Sequence, residues 1–145
     1  IQSFKTPKGR CSIKRINRVT VIDDSYNANL SSSLAALNYL NAFITEGKKI
    51  FVFGDMFELG KKSIEQHRLI GQKCADLKID VVLTIGNHTK YTNLALNESI
   101  KSKHNRSPDE LINYLKKNIK QDDVLLFKGS RGMKMENIIN RVFNF

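Results

Sequence analysis

The chain has 145 residues, 41% hydrophobic and 26% charged, with a formal net charge of +10. That length supports one domain with a real core, residues 1–145, and that composition reads as globular rather than disordered. No apolar run reaches membrane-spanning length, and two distant cysteines, Cys11 and Cys74, make neither a disulfide framework nor metal-type spacing, which fits a reducing cytoplasm.

Residues 10–16 alternate in and out, Asn17-Arg18 turns the chain, and RVTVID follows, which predicts a hairpin feeding the first central strand. Leu34, Leu37, Leu40 and Ile44 recur at helical spacing, with Gly47 closing that helix. KKIFVFG, residues 48–54, is a continuous apolar run, as in a strand buried on both faces. Ser63 with Gln66 three residues on reads as a capping box, opening a helix whose inner face carries Ile64, His67, Ile70, Cys74 and Leu77. VVLTIG is another buried strand, followed by a weaker helix near residues 88–96 and a short strand, SIKSK. Ser107-Pro108-Asp109-Glu110 is a helix start with cap, proline at the first helical position and glutamate at the third; Leu111, Leu115 and Ile119 continue it. DVLLFKG is the last strand, and Met135, Ile138, Ile139 and Val142 mark the last helix.

This alternation implies an α/β, Rossmann-like three-layer domain with a six-stranded, mostly parallel sheet and one antiparallel strand at the N-terminal edge. In open parallel sheets, ligands bind beyond the carboxyl ends of the strands. Four of those ends carry polar clusters here: Asp23-Asp24-Ser25-Tyr26-Asn27, Gly54-Asp55, Gly86-Asn87-His88 and Lys128-Gly129-Ser130-Arg131-Gly132. Asp24 can accept bonds from a ribose diol, Tyr26 can pack an adenine ring or cover the sheet end, and Asn29 is a candidate helix cap. Alternation points Asp23 and Asp24 in opposite directions, so one of them faces away from the rim. Lys128 and Arg131 supply a point charge and a fork for an anion beside a helix start. Asp55 can orient a ligand or cap the next turn, and His67 reads as a satisfied helix-face histidine. No metal cluster and no Ser/His/Asp or Cys/His nucleophile set is legible.

The basic residues are spread along the whole chain with no aromatic-interleaved stripe, so neither nucleic acid nor a membrane is an expected partner. The positive field suits a phosphorylated small molecule.

Three stretches together, IDDSYNAN (residues 22–29), FGDMFELG (53–60) with His67 and Ile70-Gly71 beyond it, and KGSRGMKME (128–136), resemble the C-terminal domain of the bacterial Mur ligases. They stand in the family's order and cover nearly the whole chain. The likeness is greatest to the branch that adds D-alanyl-D-alanine to UDP-N-acetylmuramoyl-tripeptide. Leu30 departs from the family, which usually has proline there, and its absence should soften that helix start.

The resemblance implies a three-domain enzyme of peptidoglycan precursor synthesis. ATP phosphorylates the peptide carboxylate, and the incoming amine displaces phosphate from the acyl phosphate. The N-terminal and central domains, holding the UDP-sugar, the phosphate loop and most Mg2+ ligands, would lie upstream of this chain, whose first residue is Ile1 and which lacks a Gly-Lys-Thr/Ser loop. It further implies that Asp24, Tyr26, Asn27 and Asn29 meet ATP, that Lys128, Ser130 and Arg131 take the dipeptide carboxylate, and that Asp55 faces the reaction centre. A receiver-type phospho-acceptor domain also gathers Asp23-Asp24, Asp55, Thr84 and Lys128 at strand ends. Against it, Asp55 follows the second parallel strand and Lys128 precedes glycine, where a receiver has its acceptor after the third strand and a proline after the lysine. A Mur-type ligase with another amino-acid substrate, and a non-enzymatic basic binding module, are the remaining alternatives.

Overall fold

The computed structural model describes residues 11–144. A hairpin of β1 (Ser12–Ile16) and β2 (Val19–Asp24) opens them, and the expected start of β1 at Arg10 lies outside the described residues. Its two-residue turn places Asn17 and Arg18 at φ 50° and 66°, the left-handed pair that matches the twist of two antiparallel strands. The remaining elements are α1 (Leu30–Asn41), β3 (Lys49–Gly54), α2 (Ser63–Leu77), β4 (Val81–Ile85), α3 (Lys90–Leu94), β5 (Lys101–Asn105), α4 (Pro108–Asn118), β6 (Val124–Lys128) and α5 (Met135–Phe143).

The six strands form one sheet in the order β1-β2-β6-β3-β4-β5, parallel except for β1. β4 and β6 are buried at every position, as expected where helices cover both faces. The two edges are short and charged, with Lys14 and Arg15 on β1 and Lys101 and Lys103 on β5, which discourages pairing with another chain. Alternation divides the core. Val21, Val52, Leu83, Leu125 and Phe127 face α4 and α5, where they meet Leu111, Leu115, Met135 and Ile138. Ile22, Phe51, Phe53, Val82 and Leu126 face α1 and α2 and meet Leu37, Leu40, Ile70 and Cys74.

The helix starts follow their local chemistry. Asn29 caps α1: its Oδ1 accepts from Ser32 N at 2.8 Å, and Ser32 Oγ accepts in return from Asn29 N. Leu30, the first helical residue, keeps this start without proline. Ser107 caps α4 through Glu110 N, with Pro108 at the first helical position. The Glu110 carboxylate accepts from the amide of Arg106, not from that of the cap, and pairs with Lys103; these bonds hold its carboxyl below the usual range.

Four expectations are corrected. α1 ends at Asn41, not near Gly47, and Ile44 is fully exposed. The chain leaves the helix because Thr45 must reach the Asp122 carbonyl while its hydroxyl accepts from Gly47 N, and Phe43 takes the last packing position. Ser63 is inside α2 rather than capping it, because a 3-10 turn at Gly60–Lys62 leads in; Ile64 is thereby rotated outward, 52% exposed. α3 is shorter than residues 88–96. β5 starts two residues later than SIKSK, since Ser99 and Ile100 close a turn onto Asn97.

Two residues of α2 fix the neighbouring segments. His67 is completely buried; Met56 N donates to its Nε2 at 3.0 Å, so the proton is on Nδ1, which donates to Ser63 O at 2.7 Å. This neutral ring ties the chain after β3 to α2, and burial holds its pKa below the ordinary 6.5. Gly71 lets α3 approach: a Cβ there would collide with the Thr92 carbonyl oxygen and stand 2.9 Å from Ala95 Cβ.

Gly71→Ala should therefore lower stability by about 1–3 kcal/mol, read as a drop in urea midpoint at constant m-value; an unchanged midpoint would contradict the packing. Because the His67 pKa is depressed by folding, its contribution is full above pH 6.5 and is lost as pH falls through that value towards the folded pKa. Stability should decline there by up to about 1.4 kcal/mol per pH unit more steeply in the natural chain than in His67→Gln. Parallel pH profiles for the two proteins would refute the neutral-imidazole assignment.

Candidate functional site

Parallel pairing brings the strand ends into one row. Asp24 stands opposite Lys128, Lys128 next to Phe53, Gly54 opposite Ile85, and Ile85 opposite Asn105. The polar clusters separated by a hundred residues of sequence thus share one rim, as the strand-end pattern implies.

Lys128 is the most buried charge of that rim, at 1% exposure. Its ammonium donates to Asp24 Oδ2 at 2.9 Å and to the Asn27 carbonyl at 3.0 Å, with the Asp24 carbonyl 3.5 Å away. A lysine has three donors, so its hydrogen-bonding capacity is directed inward, at the segment after β2. Asp23 points the other way, its Oδ1 accepting from both the amide and the hydroxyl of Ser25. Asp24 Oδ1 has no hydrogen-bond partner among the described residues, and the side chain is 19% exposed, so one carboxylate oxygen remains presentable to a ligand.

Next to this pair, the Arg131 guanidinium lies over the Tyr26 ring, 4.7 Å from its centroid, and donates to the Tyr26 hydroxyl at 3.1 Å. The contact joins the loop after β2 to the loop after β6. Asn27 is exposed, its Oδ1 folded back onto Ala28 N, and Asn29 has its Oδ1 engaged as the α1 cap.

On the other side of β6, Asp55 is 2% exposed. Its Oδ2 accepts from Asn87 N at 2.7 Å, and its Oδ1 from His88 N and Thr89 N, both at 2.9 Å. Three amides on one carboxylate fix the loop after β4 to the end of β3. Gly86, at φ 129°, is required there, since a Cβ would collide with this carboxylate. Ser130 completes the web: its amide donates to Asp55 O at 2.9 Å, and its Oγ accepts from Phe57 N at 2.7 Å. The structure therefore brings all eight candidate residues to the rim, with Lys128, Ser130 and Asp55 holding loops together and Tyr26, Arg131 and one edge of Asp24 turned outward.

A cleft of about 880 Å³ opens at the ends of β4 and β5, between α4 and α5. None of the candidate residues lines it. Its wall includes His104, Asn105 and Arg106, which the strand reading stops short of by ending β5 at Lys103. The signal that could have found them is the polar HNR triplet immediately before the Ser107 helix cap, another strand end with hydrogen-bonding groups. No group of three potential metal-ligating side chains occurs among the described residues, and no described helix is long and apolar enough to cross a membrane.

Comparison with known proteins agrees with this architecture. The family described as Mur ligase, glutamate ligase domain, matches residues 9–131. The UDP-N-acetylmuramoyl-tripeptide–D-alanyl-D-alanine ligase of Buchnera aphidicola subsp. Baizongia pistaciae is 35% identical over 98% of the chain, and the Escherichia coli enzyme of that name 36% over 96%. The chain spans 30% of the length of each of these two relatives. Among solved structures, MurF ligase from Thermotoga maritima in complex with ADP superposes with a TM-score of 0.84 at 28% identity, over 98% of this chain and 32% of that one. MurC from the same organism shares the fold at a TM-score of 0.65 and 18% identity, over 92% of this chain and 30% of that one. With the sheet order, the shared rim and these matches in agreement, the chain belongs to the Mur ligase family, as a domain of the C-terminal type.

Proposed function

We propose that this chain is the C-terminal domain of a cytoplasmic three-domain ligase that joins D-alanyl-D-alanine to UDP-N-acetylmuramoyl-tripeptide at the expense of ATP. The observation that carries the reading is the cross-linked rim: Lys128 on Asp24 and Arg131 on Tyr26 unite two motif loops in a chain that resembles ligases of this name over nearly its whole length.

In this reading the rim is half of a cleft. The upstream domains supply the phosphate loop and most magnesium ligands. The outward oxygen of Asp24 accepts from the ATP ribose. Tyr26, steadied by Arg131, lies against the adenosine, with Asn27 and Asn29 along the same segment. Lys128 keeps Asp24 aimed through its 2.9 Å contact, and holds the Asn27 carbonyl. In the overall reaction the peptide carboxylate takes the terminal phosphoryl group, ADP departs, the dipeptide amine attacks the acyl carbon, and inorganic phosphate leaves.

Two of the groups assigned to the dipeptide carboxylate are occupied internally, Lys128 by Asp24 and Ser130 by the Phe57 amide, while Arg131 lies on the nucleotide side. They are therefore assigned to shaping the rim. Asp55 is assigned to positioning the loop after β4 rather than to touching the reacting atoms. A receiver-type reading is not favoured, because the Asp55 carboxylate is held by three amides and the Lys128 ammonium is directed at Asp24.

The test is product formation by the enzyme encoded by the complete reading frame around this chain. With ATP and UDP-N-acetylmuramoyl-tripeptide it should release ADP and phosphate and form the pentapeptide product with D-alanyl-D-alanine, and should fail with single amino acids. The 145-residue chain alone should form none and bind ATP only at millimolar concentration or weaker, since half of a closing site lacks its partner groups. Turnover with a single amino acid in place of the dipeptide, or micromolar ATP binding by the chain alone, would contradict the proposal.

A further inference from the structure

The loop that Asp55 holds runs straight into α3, and polar side chains seat that helix. Tyr91 N donates to His88 O and Thr92 N to Thr89 O, so loop and helix form one continuous segment. The Thr92 hydroxyl donates to His67 O at 2.7 Å, and the Asn93 side chain reaches Thr84 on β4. Apolar burial adds little at the end of the helix, where Leu94 is 78% exposed. Two buried atoms of the segment, Thr89 Oγ1 and Asn93 Nδ2, have no hydrogen-bond partner among the described residues. A buried donor without an acceptor is unfavourable, so each such atom calls for a physical account.

For Asn93 the account starts at Thr84. The Thr84 Oγ1 lies 2.5 Å from Asn93 Oδ1 and 2.8 Å from His104 Nδ1, and a hydroxyl has one proton to give to one of them. With the Asn93 amide as placed, the proton goes to Oδ1. His104 Nδ1 then carries its own proton and donates it to Thr84, and Asn93 Nδ2 is the atom left over. With the amide turned over, Nδ2 donates to Thr84 Oγ1, and the Thr84 proton goes to His104 Nδ1. A neutral ring then has its proton on Nε2, and the atom left over is a carbonyl oxygen, which folds tolerate more readily than an orphaned N–H. The two orderings interconvert by an amide turn, a hydroxyl rotation and exchange of one ring proton with water at the half-buried His104. A protonated ring has a hydrogen on both nitrogens and permits only the first ordering.

The surroundings leave the ring free to change. β5 packs against β4, α3 and α4. β4 carries no titratable side chain, and α3, on the His104 side, carries Lys90 and Tyr91. Lys101 and Lys103 alternate onto the other face of β5, where they meet Tyr114 and Glu110 of α4. Arg106 follows the strand. None of the groups on the His104 face is a carboxylate that would hold the ring protonated. From this geometry we infer that His104 is a positioning residue for the rim: its protonation state selects the orientation of Asn93 through the Thr84 hydroxyl, and Asn93 sets α3 and the Asn87–Thr89 loop against Asp55. The device belongs to the fold and does not depend on which ligand the rim takes.

The experiment follows NMR signals of the 145-residue chain, which has a core of its own on each face of the sheet, from about pH 5 to 8.5, a window around the ordinary histidine value. It is done with His88→Gln in place, so that the exposed imidazole of the loop, which stacks on His67, does not itself titrate. His67, the remaining histidine, is distinguished by the lower pKa that its burial imposes. As His104 loses its proton, its ring 15N shifts should report the Nε2–H tautomer. The side-chain NH2 of Asn93 and the backbone amides of residues 87–89 should shift with the same midpoint. In Thr84→Val, His104 should still titrate while Asn93 and the loop no longer follow it. Thr84→Ser, which keeps the hydroxyl, should restore the coupling. Preserved signal dispersion shows that each variant is folded.

A neutral His104 that remains the Nδ1–H tautomer, with Asn93 unmoved across the range, would mean that the network has a single ordering and would overturn the inference. That result needs only the Thr84 hydroxyl in place, so it is available even where Thr84→Val does not fold. Loop amides that follow His104 as closely in Thr84→Val as with threonine present would also overturn it, because the ring charge would then act through space and not through the hydroxyl. Neither outcome touches the ligase reading, which is decided by product formation in the complete enzyme.

Discussion

The arrangement at the rim depends on one buried cation. Lys128 ends the strand between β2 and β3, and its ammonium is withdrawn from water. Desolvating a lysine is unfavourable by several kcal/mol, and the ion pair with Asp24 together with the Asn27 carbonyl offsets it. The offset requires that the segment after β2 be where it is. Remove the lysine and a partly buried carboxylate lacks its counter-ion, and the carbonyl of Asn27 loses its donor. The position of Tyr26, and with it the platform on which Arg131 rests, depends on that ion pair.

The second half of the rim uses the opposite sign by the same logic. Asp55 is a buried carboxylate that accepts from three backbone amides, and it carries the loop after β4. Ser130 connects the halves, because its amide reaches the Asp55 carbonyl and its hydroxyl receives the Phe57 amide. Loops that are far apart in sequence are therefore hydrogen-bonded into one surface. On the function proposed above, such a surface would meet its ligand with little ordering of its own loops left to do.

Much of this is legible in the sequence, and the failures have physical causes. The mostly parallel sheet and its binding edge can be anticipated because buried parallel strands read as apolar runs and their carboxyl ends collect polar residues. The internal bonds of Lys128 and Ser130 are not legible in the sequence. A lysine beside glycines at a strand end looks like a ligand group, and only the geometry shows that its ammonium turns back towards Asp24. Periodicity alone puts Ile44 and Ile64 on buried faces, whereas Thr45 ends the first pattern by reaching Asp122 and a 3-10 turn rotates the second. β5 reads two residues early because a turn onto Asn97 resembles strand sequence, and that shift conceals Asn105 and Arg106 at the cleft.

Whether Lys128 organises the rim from inside is decided by the Lys128→Met variant of the chain. Methionine keeps the aliphatic stem and removes the charge, so a loss of about 3 kcal/mol is expected in denaturant unfolding, the magnitude of a broken buried pair. Amide exchange should also become faster for residues 24–29 than for the core strands. A variant with unaltered stability and unaltered protection of that segment would show that the ion pair is incidental and that the loops are held by something else.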